Sequence, residues 1–243
     1  MIVFEKSKGL TDVRTHYCPG CMHGTSQRII AECLEELYVL DRAVGIASVG
    51  CSVLAYKYFN CDMQQAAHGR APAVATGIKR AVSDSVVFTL QGDGDLAAIG
   101  TAEIIHAAAR GENITVIFLN NAIYGMTGGQ MAPTTLEGQR TTTTQEGRDF
   151  SRAGKPIRVC EMLATIEGAT FVERVSLDTP ANIRKAKMAA KKAFENQIAG
   201  KGFSIVEMLT SCTTNWGISP TESHQWIRDY LIPHYPMGNF RND

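Results

Sequence analysis

The sequence predicts an α/β fold, a parallel sheet with helices on both faces. Two observations carry that expectation. Short apolar runs rich in β-branched and aromatic residues alternate with longer stretches of helical periodicity, which is the rhythm of strand–helix–strand units. The apolar runs are continuous, as strands become when both faces of a sheet are covered. A length of 243 residues and a hydrophobic fraction of 44% suit one such domain with a sizeable core, so residues 1–243 are expected to form a single domain.

The elements follow in order. Residues 24–40 predict a first helix, with Ile29, Ile30, Cys33, Leu34, Leu37 and Tyr38 on one stripe. Residues 44–49 predict a strand, 71–82 a helix and 86–90 a second strand. Residues 96–110 predict a helix with His106 on its packed stripe, and 114–119 a third strand. From 124 to about 156 the pattern lapses into Gly, Thr, Arg and Gln, including four successive threonines at 141–144. A loop of this length in a compact domain is usually functional or disordered. Strands at 171–175 and 203–209 flank a helix at 180–197. On that helix Arg184, Lys185, Lys187, Lys191 and Lys192 read as a solvated basic face.

Composition excludes some classes of function. Net charge is zero, which argues against a nucleic-acid or anionic-membrane partner. No apolar run is long enough to span a bilayer. The start, Met1-Ile2-Val3-Phe4-Glu5-Lys6, lacks the charged segment and apolar stretch of a signal peptide, so the expected location is cytoplasmic. Thiols stay reduced there, so the seven cysteines point to metal or catalysis rather than to a disulfide framework.

The strand at 86–90 ends in Gln91-Gly92-Asp93-Gly94-Asp95, and a helix begins directly after it. The glycines allow a tight turn and close approach to a ligand. The new helix directs free N–H groups and its positive end at that point, which favours phosphate. Asp93 suits a phosphate only if a divalent cation lies between them, and Mg2+ takes oxygen ligands from few side chains plus phosphate oxygens. The next strand ends in Asn120-Asn121-Ala122-Ile123-Tyr124-Gly125. Parallel strands end on the same sheet edge, where open α/β sheets bind ligands, so the Asn121 amide oxygen is expected to reach the same cation.

Cysteines gather at that edge too. Cys18-Pro19-Gly20-Cys21 opens the first helix, Cys51 follows the strand at 44–49, and Cys212 follows the strand at 203–209. Four converging thiolates suit zinc or an iron–sulfur cluster. Cys33, Cys61 and Cys160 read as small buried hydrophobes. His16 and His23 flank the CxxC as supporting groups or as ordinary loop histidines. His68 is the best catalytic candidate.

Gly92-Asp93-Gly94 followed one helix and one strand later by Asn120-Asn121 resembles the thiamine-diphosphate motif. The runs 92–100 and 121–130, together with His68-Gly69-Arg70-Ala71-Pro72, resemble the β subunits of 2-oxoacid:ferredoxin oxidoreductases, from Cys18 to about Trp216. The resemblance implies a thiamine-diphosphate-binding fold. It implies Asp93, Asn121 and the Ile123 carbonyl as Mg2+ ligands. It further implies cofactor contacts from Gly50, Cys51, Ser52, His68, Gly94, Asp95, Gly125 and Met126, beside the turn glycine Gly92. The early CPGC, the Gly50-Cys51-Ser52 and the Ser211-Cys212-Thr213 match cysteines that hold one 4Fe-4S cluster in that family.

The implied reaction is oxidative decarboxylation of a 2-oxoacid, branched-chain or 2-oxoglutarate, to acyl-CoA and CO2. Electrons would pass through the cluster to ferredoxin, and coenzyme A would take the acyl group. The glutamate that activates the cofactor's aminopyrimidine is expected from a partner α subunit, with small γ and ferredoxin-like δ subunits completing the assembly. Two rivals stand beside this expectation. A non-redox thiamine-dependent 2-oxoacid decarboxylase subunit has no need of four edge cysteines. A zinc-stabilised interaction subunit does not explain the paired Gly-Asp-Gly and Asn-Asn.

Overall fold

The structure is a computed structural model that describes residues 5–243. Most of the N-terminal run from Met1 that argued against a leader lies outside the described residues. Seven strands form one sheet: β1 Ala43–Ala47, β2 Asp62–Gln65, β3 Val86–Gly92, β4 Thr115–Asn120, β5 Ala169–Ser176, β6 Phe203–Leu209 and β7 Gly238–Asn242. Their order is β2-β1-β3-β4-β6-β5-β7. The pairings from β1 to β6 are parallel, and β7 alone runs antiparallel, against β5. The main helices are α1 His23–Glu36, α2 Ala71–Ala81, α3 Thr101–Ala109, α4 Phe150–Ala153, α5 Val159–Ala164 and α6 Pro180–Ile198.

Side chains alternate along each strand, so the sheet separates two cores. Phe88, Leu90, Ile117, Leu119, Val206 and Met208 pack with α1 and α6. Val87, Val116, Phe118 and Ile205 pack with α2, α3 and α5 on the other face. Burial on both faces is why these strands read as unbroken apolar runs. Proline at the first turn and the Thr179 hydroxyl, accepting from the Asn182 amide at 3.1 Å, start α6 cleanly.

Several expectations change. The first helix ends at Glu36, and Tyr38 lies beyond it in a left-handed conformation, 91% exposed rather than on the buried stripe. The helix at 96–110 divides: a wide helical turn over Asp95–Ile99 gives way at Gly100 to α3. His106 is exposed, because the buried stripe of α3 consists of Ile104, Ala107 and Ala108. The basic face of α6 is partly committed. Lys187 pairs with Glu32 and Glu36, and Lys191 with Glu36, which fastens α6 to α1. Cys33 and Cys160 are buried as expected, whereas Cys61 is half-buried at the core's margin. Among the described residues no helix is long and apolar enough to cross a membrane.

Candidate functional site

Strands β1, β3, β4 and β6 end on one edge, and the loops that leave β1, β3 and β4, with His68 after β2, border a cavity of about 320 Å3. Its wall includes Gly50, Cys51, Ser52, His68, Gly92, Asp93, Gly94, Asp95, Asn121, Ile123, Gly125 and Met126, so the structure brings the expected cofactor residues together.

Asp93 is buried at the cavity floor. Its Oδ2 accepts the Ile123 amide at 3.0 Å, and the same amide reaches Asn121 Oδ1 at 3.3 Å. Oδ1 of Asp93 has no hydrogen-bond partner, and neither has the buried Ser52 hydroxyl in the same wall. Burial pushes the Asp93 carboxyl up to about 7, against the opposing pull of the Thr134 hydroxyl and the Ile123 and Asn121 backbone. An unpaired buried carboxylate is costly unless a cation meets it. A hard cation at Oδ1 would satisfy it, with Asn121 Oδ1 beside it, so the residues present fit Mg2+.

The turn that presents Asn121 is strained and braced. Ala122 takes φ 58, which an L-residue holds only when its surroundings enforce it. The Ala122 amide donates to Asn120 Oδ1 at 3.1 Å. Its carbonyl accepts from the Thr135 hydroxyl at 2.7 Å and from Gln139 Nε2 at 3.1 Å. Both come from the irregular 124–156 segment, and the sequence assigned neither residue a role. Arg148 holds that segment in shape by donating to the carbonyls of Ala132, Pro133 and Thr135. Behind the turn, Asn120 Nδ2 donates to Glu207 at 2.7 Å, and Glu207 accepts from Arg174 Nε at 2.9 Å. The Arg174 and Glu207 side chains are both fully buried.

His68 stands at the cavity rim with Nδ1 2.8 Å from Asp95 Oδ1. The Asp95 carboxylate also accepts the Gly69 amide at 2.7 Å and Gln91 Nε2 at 2.7 Å. A carboxyl oxygen that already accepts an amide favours the His68 tautomer with the proton on Nδ1, which leaves Nε2 as the other ring nitrogen. The loop carrying His68 comes this close because Gly69 and Gly100 touch backbone to backbone. A Cβ on Gly69 would lie 2.8 Å from Gly100 N.

A second cavity of about 290 Å3 is lined by Cys18, Cys21, Cys51 and Cys212. Ser211 and Thr213 hydroxyls donate to the Gly20 and Pro19 carbonyls, each at 2.7 Å, which ties the CPGC loop to the end of β6. Gly125 packs against two sulfurs: a Cβ there would lie 3.3 Å from Cys51 Sγ and 3.4 Å from Cys212 Sγ. Burial pushes the Cys21 thiol up to about 12 and the Cys51 thiol up to about 11, and Cys212 is also raised. Among the described residues no three His, Cys, Asp or Glu side chains are close enough to hold one metal ion. His23 is fully buried, with Nδ1 3.2 Å from Cys21 Sγ, and burial lowers it to about 4, so it is neutral. His16 instead contacts the Tyr58 hydroxyl at 2.7 Å and is exposed.

Thr135, Gln139, Gln91 and Asn215 belong to the site without having been singled out in the sequence. They are ordinary polar residues, and only their contacts distinguish them. Glu207 did leave a signal, as the lone charge inside the apolar run Phe203–Leu209, whereas Arg174 stands beside Glu173 in Ala169–Ser176.

Comparison with known proteins bears on this arrangement. Residues 48–208 match the thiamine pyrophosphate enzyme family, C-terminal TPP-binding domain. Ketoisovalerate oxidoreductase subunit VorA of Methanothermobacter thermautotrophicus is 50% identical over 240 residues, covering 99% of this chain and 50% of VorA. 2-Oxoglutarate synthase subunit KorB of Archaeoglobus fulgidus is 36% identical over 215 residues, covering 88% of this chain and 76% of KorB. The chain thus spans about half the length of the VorA relatives it matches. A solved 2-oxoglutarate:ferredoxin oxidoreductase from Magnetococcus marinus shares the fold with a TM-score of 0.82 at 24% identity, covering 100% of this chain and 86% of that one.

Proposed function

The chain belongs to the thiamine pyrophosphate enzymes, among the 2-oxoacid:ferredoxin oxidoreductase subunits, and on that premise we propose that it forms one half of an active site for oxidative decarboxylation of a 2-oxoacid to acyl-CoA and CO2. The observation that carries the proposal is the shared wall of the two cavities. His23, Cys51, Asn121, Gly125 and Met126 line both. A thiamine enzyme without electron transfer has no use for a cysteine-lined chamber beside its cofactor.

In this reading Asp93, Asn121 and the Ile123 carbonyl hold Mg2+, while Gly50, Cys51, Ser52, Gly92, Gly94, Asp95, Gly125 and Met126 border thiamine diphosphate. Cys18, Cys21, Cys51 and Cys212 hold a 4Fe-4S cluster. Four sulfurs around an open cavity suit a cluster, whose own bulk separates its ligands. When bound, thiamine diphosphate would supply an electron sink for decarboxylation and a cluster would supply one-electron chemistry. The chain's own residues bind and orient. Asp93 neutralises the cation, the braced Ala122 turn fixes Asn121, and Asp95 holds His68 so that Nε2 can move a proton at the cavity rim.

The relatives' names support a branched-chain 2-oxoacid or 2-oxoglutarate as substrate, and the higher identity to the ketoisovalerate subunit favours the former. A separate α subunit supplies the pyrimidine-side contacts and the activating glutamate. γ and ferredoxin-like δ subunits, coenzyme A and ferredoxin complete the system, and a cytoplasmic location suits its reduced thiols. The reconstituted complex should reduce a low-potential dye with coenzyme A and a branched-chain 2-oxoacid, and the chain alone should not. Turnover by the chain alone, or by the complex without coenzyme A at an equal rate, would count against the reading.

A further inference from the structure

We infer that Asn215 is a positioning residue that sets the reduction potential of the proposed cluster and couples it to the loop bearing Asn121; the inference rests on the cluster reading above. One amide nitrogen makes both contacts. Asn215 Nδ2 lies 3.2 Å from Cys212 Sγ and 2.8 Å from the Gly125 carbonyl oxygen. A ligating sulfur and a carbonyl both accept, so the group facing them is the NH2 and its two hydrogens are both used. His23 near Cys21 is less defined, because the role of its Nδ1 depends on the tautomer.

The surroundings are built for this contact. Gly129 takes φ +81, and a Cβ there would lie 2.9 Å from Asn215 Oδ1, so the loop crosses Asn215 only without a side chain. Gly125 in turn rests against both Cys51 and Cys212. Asn215 therefore touches the end of the diphosphate loop and one cysteine at the same time.

The consequence is electrostatic. Adding an electron makes a cluster more negative, so an N–H donated to a ligand sulfur stabilises the reduced form more than the oxidised one. Removing the donor lowers the potential.

The test uses the anaerobically purified complex. Asn215→Leu keeps the approximate volume and removes both hydrogens. Its cluster should retain its iron and visible spectrum while the reduction equilibrium falls about tenfold, which is ~59 mV for one electron. An intact cluster with an unchanged potential overturns the inference. Should Asn215→Leu lose its cluster, the wild-type complex labelled with asparagine carrying 15N in the side-chain amide only decides. Pulsed EPR of the reduced cluster should detect an asparagine side-chain nitrogen, and its absence overturns the inference. Wild-type chain separated anaerobically from the complex without iron refutes the cluster itself, a result distinct from a cluster lacking that coupling.

Discussion

Replacing Asp93 by Asn removes a buried charge that no protein group neutralises. The carboxyl is ordinarily near 3.8 and stands at about 7 in the ligand-free fold because burial opposes its ionisation. That gap corresponds to on the order of 4 kcal/mol. For an acid whose folded value is raised, the folded state holds the proton longer than the unfolded one. Its contribution is therefore fully present below about pH 4 and is lost as the pH rises through about 7. Asn keeps the acceptor that meets the Ile123 amide but carries no charge. Urea denaturation of the ligand-free proteins between pH 4 and pH 8 measures the difference. The variant should match the wild type near pH 4 and exceed it by up to about 4 kcal/mol above pH 7. Thiamine diphosphate with Mg2+ should stabilise the wild type and leave the variant nearly unaffected. A gap that does not change with pH would refute the reasoning, because it would show that the Asp93 charge is already satisfied within the protein.

Further outcomes follow from the same contacts. Thr135→Val removes a hydrogen bond to the strained Ala122 turn and should cost about 1 kcal/mol in Mg2+–thiamine diphosphate affinity by calorimetry. Asp95→Asn keeps an acceptor of the same volume but removes the charge that orients the His68 ring, and should lower turnover of the reconstituted complex on the order of 100-fold with a similar circular dichroism spectrum. Arg174→Met strands the Glu207 carboxylate and should cost about 3–5 kcal/mol in urea unfolding. The double variant with Glu207→Leu should cost less than Arg174→Met alone. Gly125→Ala places a methyl against Cys51 and Cys212 and should lower iron content with little change in the fold's thermal midpoint.

The parts of the fold legible in sequence are those buried on two faces. β3, β4 and β6 announce themselves because both sides of each strand are apolar. β2 and β7 lie at the sheet's edges and are largely exposed, so Asp62–Gln65 and Gly238–Asn242 carry no hydrophobic pattern to detect. Gly100 sits inside a helical pattern, and only its contact with Gly69 explains the break. The site divides the same way. Asp93, Asn121 and Cys212 are readable because a strand end fixes where they lie. Thr135, Gln139 and Asn215 act through contacts made across loops, 13 to 90 residues away in sequence, which local pattern cannot encode. Tyr38 shows the limit of periodicity, since a chain can leave the helix before the stripe ends.

The central claim is that the cysteine cavity makes a thiamine site a redox site. Anaerobic purification followed by iron analysis and visible spectroscopy tests it most directly. The account predicts a brown protein with about four irons per chain and absorbance near ~400 nm that bleaches on reduction. A colourless protein containing zinc, or no metal, with its thiamine diphosphate bound would contradict it.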